Sequence, residues 1–266
     1  VSQLAIDPSD PETLYVAANL AVGIPASCTA WKSTDRGKTW SCLSIGTQQV
    51  AGIFVAAARP ATLYAITTPA GCCYNGLSKS TDAGLTWTNL DAPLHYFAVS
   101  GVAIDPTDPD RVFVTTAGGV FRTTDGGATW LGLDHGLPSP CLICGPFAVA
   151  IDPHVPTTLY IAGTAGVYRS TNDGLAWHPL NGGLPEDAFF LAQSNQVGVA
   201  GVLVVDPVRP GRLYAGTRHN GMTNPLRSMN IVTEAVREGL GAGHTQGPAF
   251  MIGHKAATMI RGFHSG

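Results

Sequence analysis

The chain holds 18 carboxylates in 266 residues, and three of them stand where chemistry is conceivable. Asp134 lies in "GLDHGLPSPCLIC" (132–144), and Glu186 and Asp187 lie in "PLNGGLPEDAFF" (179–190). Two carboxyl groups about 5–5.5 Å apart suit a retaining glycosidase, and roughly 6.5–9.5 Å suits an inverting one. Asp134 with Glu186 or Asp187 could supply such a pair from adjacent units. The competing reading is plainer: Asp and Glu beside "GLP" cap turns or face water. His135, and His95 with Tyr96 in "NLDAPLHYF" (89–97), are the candidate binding residues; solvated loop positions would serve them equally well. The eight histidines show no H-E-x-x-H or related spacing, so neither a metal site nor a cofactor is expected. A G-x-S-x-G elbow and a phosphate loop are both missing, which disfavours serine hydrolases and nucleotide enzymes.

Charge narrows the partners. Fifteen basic and 18 acidic residues give a net −3, without a basic stripe, so nucleic acid is not an expected partner. No run of 18 apolar residues exists to insert in a membrane. A glycan or a protein ligand remains. The six cysteines are Cys28, Cys42, Cys72, Cys73, Cys141 and Cys144. An even number in a low-charge chain fits disulfides in an oxidising compartment, hence a secreted or periplasmic protein. Free thiols, or zinc at Cys141-Leu-Ile-Cys144, are the alternatives; no second such pair exists to complete a zinc site. Val1 already falls inside a repeat, as expected of a mature form or a fragment.

The elements that must position these residues are written repeatedly. P-x-T/R-L/V-Y/F recurs at Pro11–Tyr15, Pro60–Tyr64, Pro109–Phe113, Pro156–Tyr160 and Pro210–Tyr214, usually after an apolar run ending in Asp-Pro. A second phrase follows each of the first four: "STDRGKTW" (33–40), "STDAGLTW" (80–87), "TTDGGATW" (123–130) and "STNDGLAW" (170–177). A period of about 40–50 residues with several short strands per unit indicates propeller blades. The third unit divides into strands near Val99–Ile104, Arg111–Thr115, Gly119–Thr123 and Ala128–Leu133. Asp-Pro must be a turn, because proline lacks the N–H that a ladder needs.

The octet must be another turn. The hydroxyls of Ser33, Ser80, Thr123 and Ser170, and the side chains of Asp35, Asp82, Asp125 and Asn172, are suited to satisfy its free N–H groups. Gly37, Gly84, Gly127 and Gly174 supply positive φ. Trp40, Trp87, Trp130 and Trp177 are expected to bury their rings, at a cost of about 3–5 kcal/mol if truncated.

This octet resembles the Asp-box, or BNR repeat, found in sialidase-like and xyloglucan-cleaving propellers, in the sortilin-type receptor propeller and in photosystem II assembly propellers. The resemblance covers about residues 1–220. It implies an all-β propeller of four-stranded blades, of about five blades or an incomplete larger ring, with the box as a structural turn away from the binding face. For function it implies little, because these proteins do unrelated things. A sialidase would also need three carboxylate-binding arginines; Arg122 and Arg169 sit at one repeat position, and "VGIPAS" has Gly23 where the arginine of an Arg-Ile-Pro phrase should stand.

Units of about 1–46, 47–95, 96–143, 144–195 and 196–220 follow, then an atypical segment 221–266 with a short helix expected at Ile231–Glu238 as a cap or tail. The connectors and the loops between second and third strands fall on the rim opposite the octets. That rim is the expected binding face of a glycan- or protein-binding scaffold. A glycoside hydrolase, or a fragment of one, is the second reading, and an assembly factor for a membrane complex the third.

Overall fold

The computed structural model describes residues 3–17, 28–46, 49–68, 75–90, 94, 98–138, 146–163, 166–180, 203–209, 211–216 and 229–233. It is all-β. Blade one contains β1 (Gln3–Ile6), β2 (Leu14–Ala17), β3 (Ala30–Ser33) and β4 (Ser41–Leu43). Blade two contains β5 (Gln49–Val55), β6 (Leu63–Thr68), β7 (Gly76–Ser80) and β8 (Thr88–Asn89). Blade three contains β9 (Val99–Ile104), β10 (Val112–Thr116), β11 (Gly119–Thr123) and β12 (Leu131–Gly132). Blade four contains β13 (Pro146–Ile151), β14 (Leu159–Gly163), β15 (Gly166–Ser170) and β16 (His178–Pro179). Blade five shows β17 (Leu203–Val205), β18 (Arg212–Gly216) and β19 (Met229–Thr233).

Within each blade the strands follow chain order as an antiparallel meander. This is the blade of a β-propeller. Strands alternate their side chains between two faces, and both faces are apolar because each packs on a neighbouring blade. One face carries the Tyr of the proline phrase, the other the Leu beside it. Tyr15, Ala17 and Leu43 of blade one thus meet Val50, Ile53, Leu63 and Ala65 of blade two. Tyr64, Ile66 and Leu77 meet Val102, Val112 and Val114 of blade three. Phe113, Val120 and Leu133 meet Val149, Leu159 and Trp177 of blade four, and Tyr160 and Leu180 meet Val205 and Leu213 of blade five. The packing between described strands runs from each blade to the next.

Blade three matches the expected strands to within a few residues. The fifth unit differs. Ile231 does not start a helix: β19 covers Met229–Thr233 and pairs along β18 from Gly216↔Met229 to Arg212↔Thr233. The cause is register. An open β18 edge offers Ile231 and Val232 a ladder, and the β-branched pair fits a pleated surface better than a helix. The chain thus passes the expected boundary at 220 and returns to complete a third strand; residues 234–238 lie outside the described ones.

Cys28 and Cys42 form a disulfide, with Cα atoms 5.7 Å apart, joining the residues just before β3 to β4. Cys72, Cys73, Cys141 and Cys144 lie outside the described residues.

Candidate functional site

In an antiparallel meander the turns β1–β2 and β3–β4 fall on one rim of a blade, and the β2–β3 loop on the other. The octets and the Asp-Pro turns therefore share a rim. The first three octets are wired in the same way. In the first, Ser33 Oγ donates to Asp35 Oδ1 at 2.7 Å and accepts from Gly37 N at 2.8 Å. Asp35 Oδ1 accepts from Thr39 N at 2.9 Å, and its Oδ2 accepts from the Thr39 hydroxyl at 2.6 Å. Asp82 and Asp125 repeat the set. In the fourth copy Asn172 Oδ1 keeps the bonds to Ser170 and to Ala176 N, at 2.8 and 2.9 Å, but position 176 has no hydroxyl for the fourth bond.

These bonds have an electrostatic consequence. Thr39 and Thr86, followed by Ser33 and Ser80, hold Asp35 and Asp82 down to about 2, and Thr129 with Thr123 lowers Asp125 in the same way. A carboxylate that accepts several hydrogen bonds favours its charged form. Such a group is a poor proton donor or acceptor near neutrality.

The octet glycines have the expected positive φ, from +83° to +103°. The residue before each is left-handed as well: Arg36, Ala83, Gly126 and Asp173. Its N–H reaches the proline phrase of the same blade, at the carbonyls of Glu12, Ala61, Asp110 and Thr157. The two turns of each of these four blades are thereby clasped together. In the Asp-Pro turns, Asp7, Asp105, Asp152 and Asp206 accept backbone N–H bonds two and three residues on.

Charges on this rim also join blades. Lys79 of blade two donates to Asp110 of blade three at 2.7 Å. Arg111 and Arg122 of blade three both reach Asp173 of blade four, and Arg111 also binds Asp105. Burial works against the Asp105 charge, but the bonds from Thr107 and Arg111 outweigh it and lower its pKa. Arg122 is thus an interblade tie.

The tryptophans are not alike. Trp177 is 2% exposed and donates from Nε1 to Leu133 O at 2.7 Å. Trp87 and Trp130 are partly buried. Trp40, expected inside, is 39% exposed. The reason is position: each of the other rings is covered by the preceding blade, and none precedes blade one among the described residues.

The opposite rim holds Asp134. Its Oδ1 accepts from Val120 N of β11 at 3.0 Å, beside the tight turn between β10 and β11. A Cβ on Gly119, at φ +133°, would fall on that carboxylate. The chain then turns back to blade four, where the His135 carbonyl accepts from Trp177 N at 3.0 Å. The sequence holds a signal for Asp134 that the octet pattern hides. Three residues after each octet Trp comes a leucine, and after that Ser44, Asp91, Asp134 or Asn181, all turn-capping types. His95, Tyr96, Glu186 and Asp187 lie outside the described residues. No described group of His, Cys, Asp and Glu is arranged to hold a metal ion.

Every described carboxylate is therefore engaged, either in a turn or with a cation. Asp10 accepts from Glu12 N and Thr13, Glu12 pairs with Arg36, and Asp108 accepts from Asp110 N.

No protein-family model matches the chain. Over 103 residues it is 30% identical to a xyloglucanase of Acetivibrio thermocellus, a match spanning 35% of this chain and 12% of that protein. An ancestral GH74 enzyme superposes with a TM-score of 0.58 at 19% identity, over 81% of this chain and 27% of the other. The GH74 xyloglucanase from Xanthomonas campestris gives 0.56 at 19%, over 86% and 38%. These likenesses show the propeller fold. The chain spans well under half of each of these proteins.

Proposed function

We propose that this chain is an extracytoplasmic Asp-box propeller unit that binds a β-glucan of the xyloglucan class through the rim opposite its octets. The observation that carries the reading is the 30% identity over 103 residues to a xyloglucanase. Two features support it. The octet rim is consumed by structure, since its carboxylates and arginines bind their own turns and neighbouring blades, which leaves the other rim for a ligand. The Cys28–Cys42 disulfide suits an oxidising compartment. His95, Tyr96 and His135 are the proposed binding residues.

A second reading is a glycoside hydrolase, or a part of one, with Asp134, Glu186 and Asp187 as its carboxyl groups. The same xyloglucanase kinship favours it. The hydrogen bond from Val120 N to Asp134 weighs against a catalytic role for this residue, because it commits one oxygen to the fold.

Affinity electrophoresis in gels containing xyloglucan, unsubstituted cellulose derivatives or no polysaccharide tests the first reading; retardation by xyloglucan is expected. A reducing-sugar assay on the same material separates the second. Sugar release that disappears in Glu186→Gln or Asp187→Asn would establish hydrolysis. Failure of every glycan to retard the protein or be cleaved would remove both readings.

A further inference from the structure

Charge is not spread evenly over this molecule. Every described Lys and Arg stands in an octet or a proline phrase, or one residue before it, so the cations gather at the octet rim. The described carboxylates gather there as well, in the octets, the Asp-Pro turns and the proline phrases, with Asp134 as the exception. The chain that joins strands at the opposite rim has another composition. Through blade four these joins are 18–29, 44–48, 69–75, 90–98, 117–118, 133–145, 164–165 and 180–202. They contain no Lys or Arg, and their acids are Asp91, Asp134, Glu186 and Asp187. A ligand at this rim therefore meets negative charge and hydrogen-bonding groups, but no lysine or arginine to pair with an anion.

Of these acids, Asp134 lies among the described residues. It is exposed, and only its Oδ1 is held in a described hydrogen bond, from Val120 N. Beside it is the join 117–118 between β10 and β11, two residues long against twelve in 18–29 and seven in 69–75. That turn is already bonded within its own blade. The Thr116 hydroxyl donates to Gly119 O and accepts from Gly118 N, both at 3.1 Å, and Ala117 N donates to Ala98 O at 3.3 Å. Gly118 and Gly119 leave the peptide planes bare of side chains. The result is a rigid patch in which Asp134 keeps one oxygen for a partner, organised before any ligand arrives.

We propose, on the glycan-binding reading above, that this patch recognises an uncharged polysaccharide. Asp134 Oδ2 accepts from sugar hydroxyls above the bare turn at Gly118 and Gly119, and the rim turns away glycans that carry carboxylate, sulfate or phosphate groups. A hydroxyl that donates to an ionised carboxylate makes one of the stronger hydrogen bonds open to a neutral ligand. An acidic glycan would instead bring its own charge against Asp134, with no lysine or arginine in the joins of blades one to four to offset it.

Isothermal titration calorimetry of the full chain against two ligands tests this: xyloglucan, and the same xyloglucan after oxidation of its primary alcohols to carboxylates. The native polymer is expected to bind, and the oxidised one to bind about tenfold more weakly or worse. Added salt is expected to narrow that gap by screening the repulsion. Asp134→Asn separates ligand contact from folding. An amide oxygen can still accept from Val120 N, and blade four carries Asn181 at this place, but the second oxygen is replaced by a donor. Urea denaturation checks that the variant folds. It is expected to bind xyloglucan about tenfold more weakly and to discriminate less against the oxidised polymer. Leu85→Gln, on the octet rim and 80% exposed, is expected to bind as the wild type does. A wild-type chain that binds neither polymer removes the glycan reading and this inference with it. Equal binding of the two polymers by the wild type, or undiminished binding by Asp134→Asn, overturns this inference and leaves the glycan reading standing.

Discussion

Gly84 of blade two sits directly beneath Leu43 of blade one: an ideal Cβ on Gly84 would lie 2.9 Å from Leu43 Cδ2. The glycine thus answers two demands, a backbone at φ +92° and a contact between blades. The first was plain from the turn pattern. The second depends on the neighbouring blade.

Gly84→Ala is therefore expected to lose more stability than Gly37→Ala. Both incur the left-handed cost of about 1 kcal/mol or somewhat more. At Gly84 the buried Leu43, 5% exposed, must also yield, and overpacking of this kind adds about 1–3 kcal/mol. Urea denaturation of the two variants side by side reads the difference; equal losses would count against the interblade contact.

Acid is expected to weaken the blades over a defined range. Asp35 and Asp82 sit at about 2 in the folded chain, against about 4 for an unstructured aspartate. A lowered folded value stabilises above the unfolded one and is lost as pH falls towards the folded one. Stability should thus decline between about pH 4 and 2. Changing Asp35, Asp82 and Asp125 together to Asn, the residue at Asn172, should flatten that slope without abolishing it, because Asp105 and Asp206 are lowered too. Urea midpoints measured against pH provide the check.

Arg111 holds two carboxylates in different blades. Arg111→Gln is expected to cost about 3–5 kcal/mol, the usual penalty for leaving a buried charge unpaired. Adding Asp105→Asn should recover part of the loss, since Asp105 is 2% exposed and is the deeper of the two partners. A double-mutant cycle on thermal unfolding measures the coupling, and independent, additive effects would argue that Arg111 acts through packing on Phe113 instead.

The Cys28–Cys42 crosslink closes a sequence separation of 14 residues. A loop of that size gives about 3 kcal/mol by restricting the unfolded chain. Cys28→Ala with Cys42→Ala should lower stability by roughly that amount, and thiol titration of the unfolded wild type should count two fewer free thiols than its reduced form for this pair.

Much of the fold was legible because each blade repeats the same local chemistry. Ser33, Asp35 and Gly37 act within a few residues of one another, so their types reveal the turn directly. Trp40 was harder to read: whether its ring is covered depends on another blade, and nothing within eight residues records that. Ile231 was misjudged for the same reason, since the loss of the octet hid an open β18 edge that draws the segment into a ladder. At the candidate site, Asp134 looked singular until Ser44, Asp91 and Asn181 were aligned with it through the leucine that follows each octet Trp. Its bond to Val120 ties it to the fold of its own blade, while a ligand-binding role belongs to shape across several blades.

The clasp between the fourth octet residue and the proline phrase has a consequence for how such chains diversify. It stiffens one border of each of the first four blades with groups from that blade alone. Long inserts such as 18–29 and 69–75 can therefore grow on the far border, where blades three and four have only a few residues, without loosening the corner that keeps each sheet in step. New specificities can be grafted there one module at a time, with the spine of the array left unaltered.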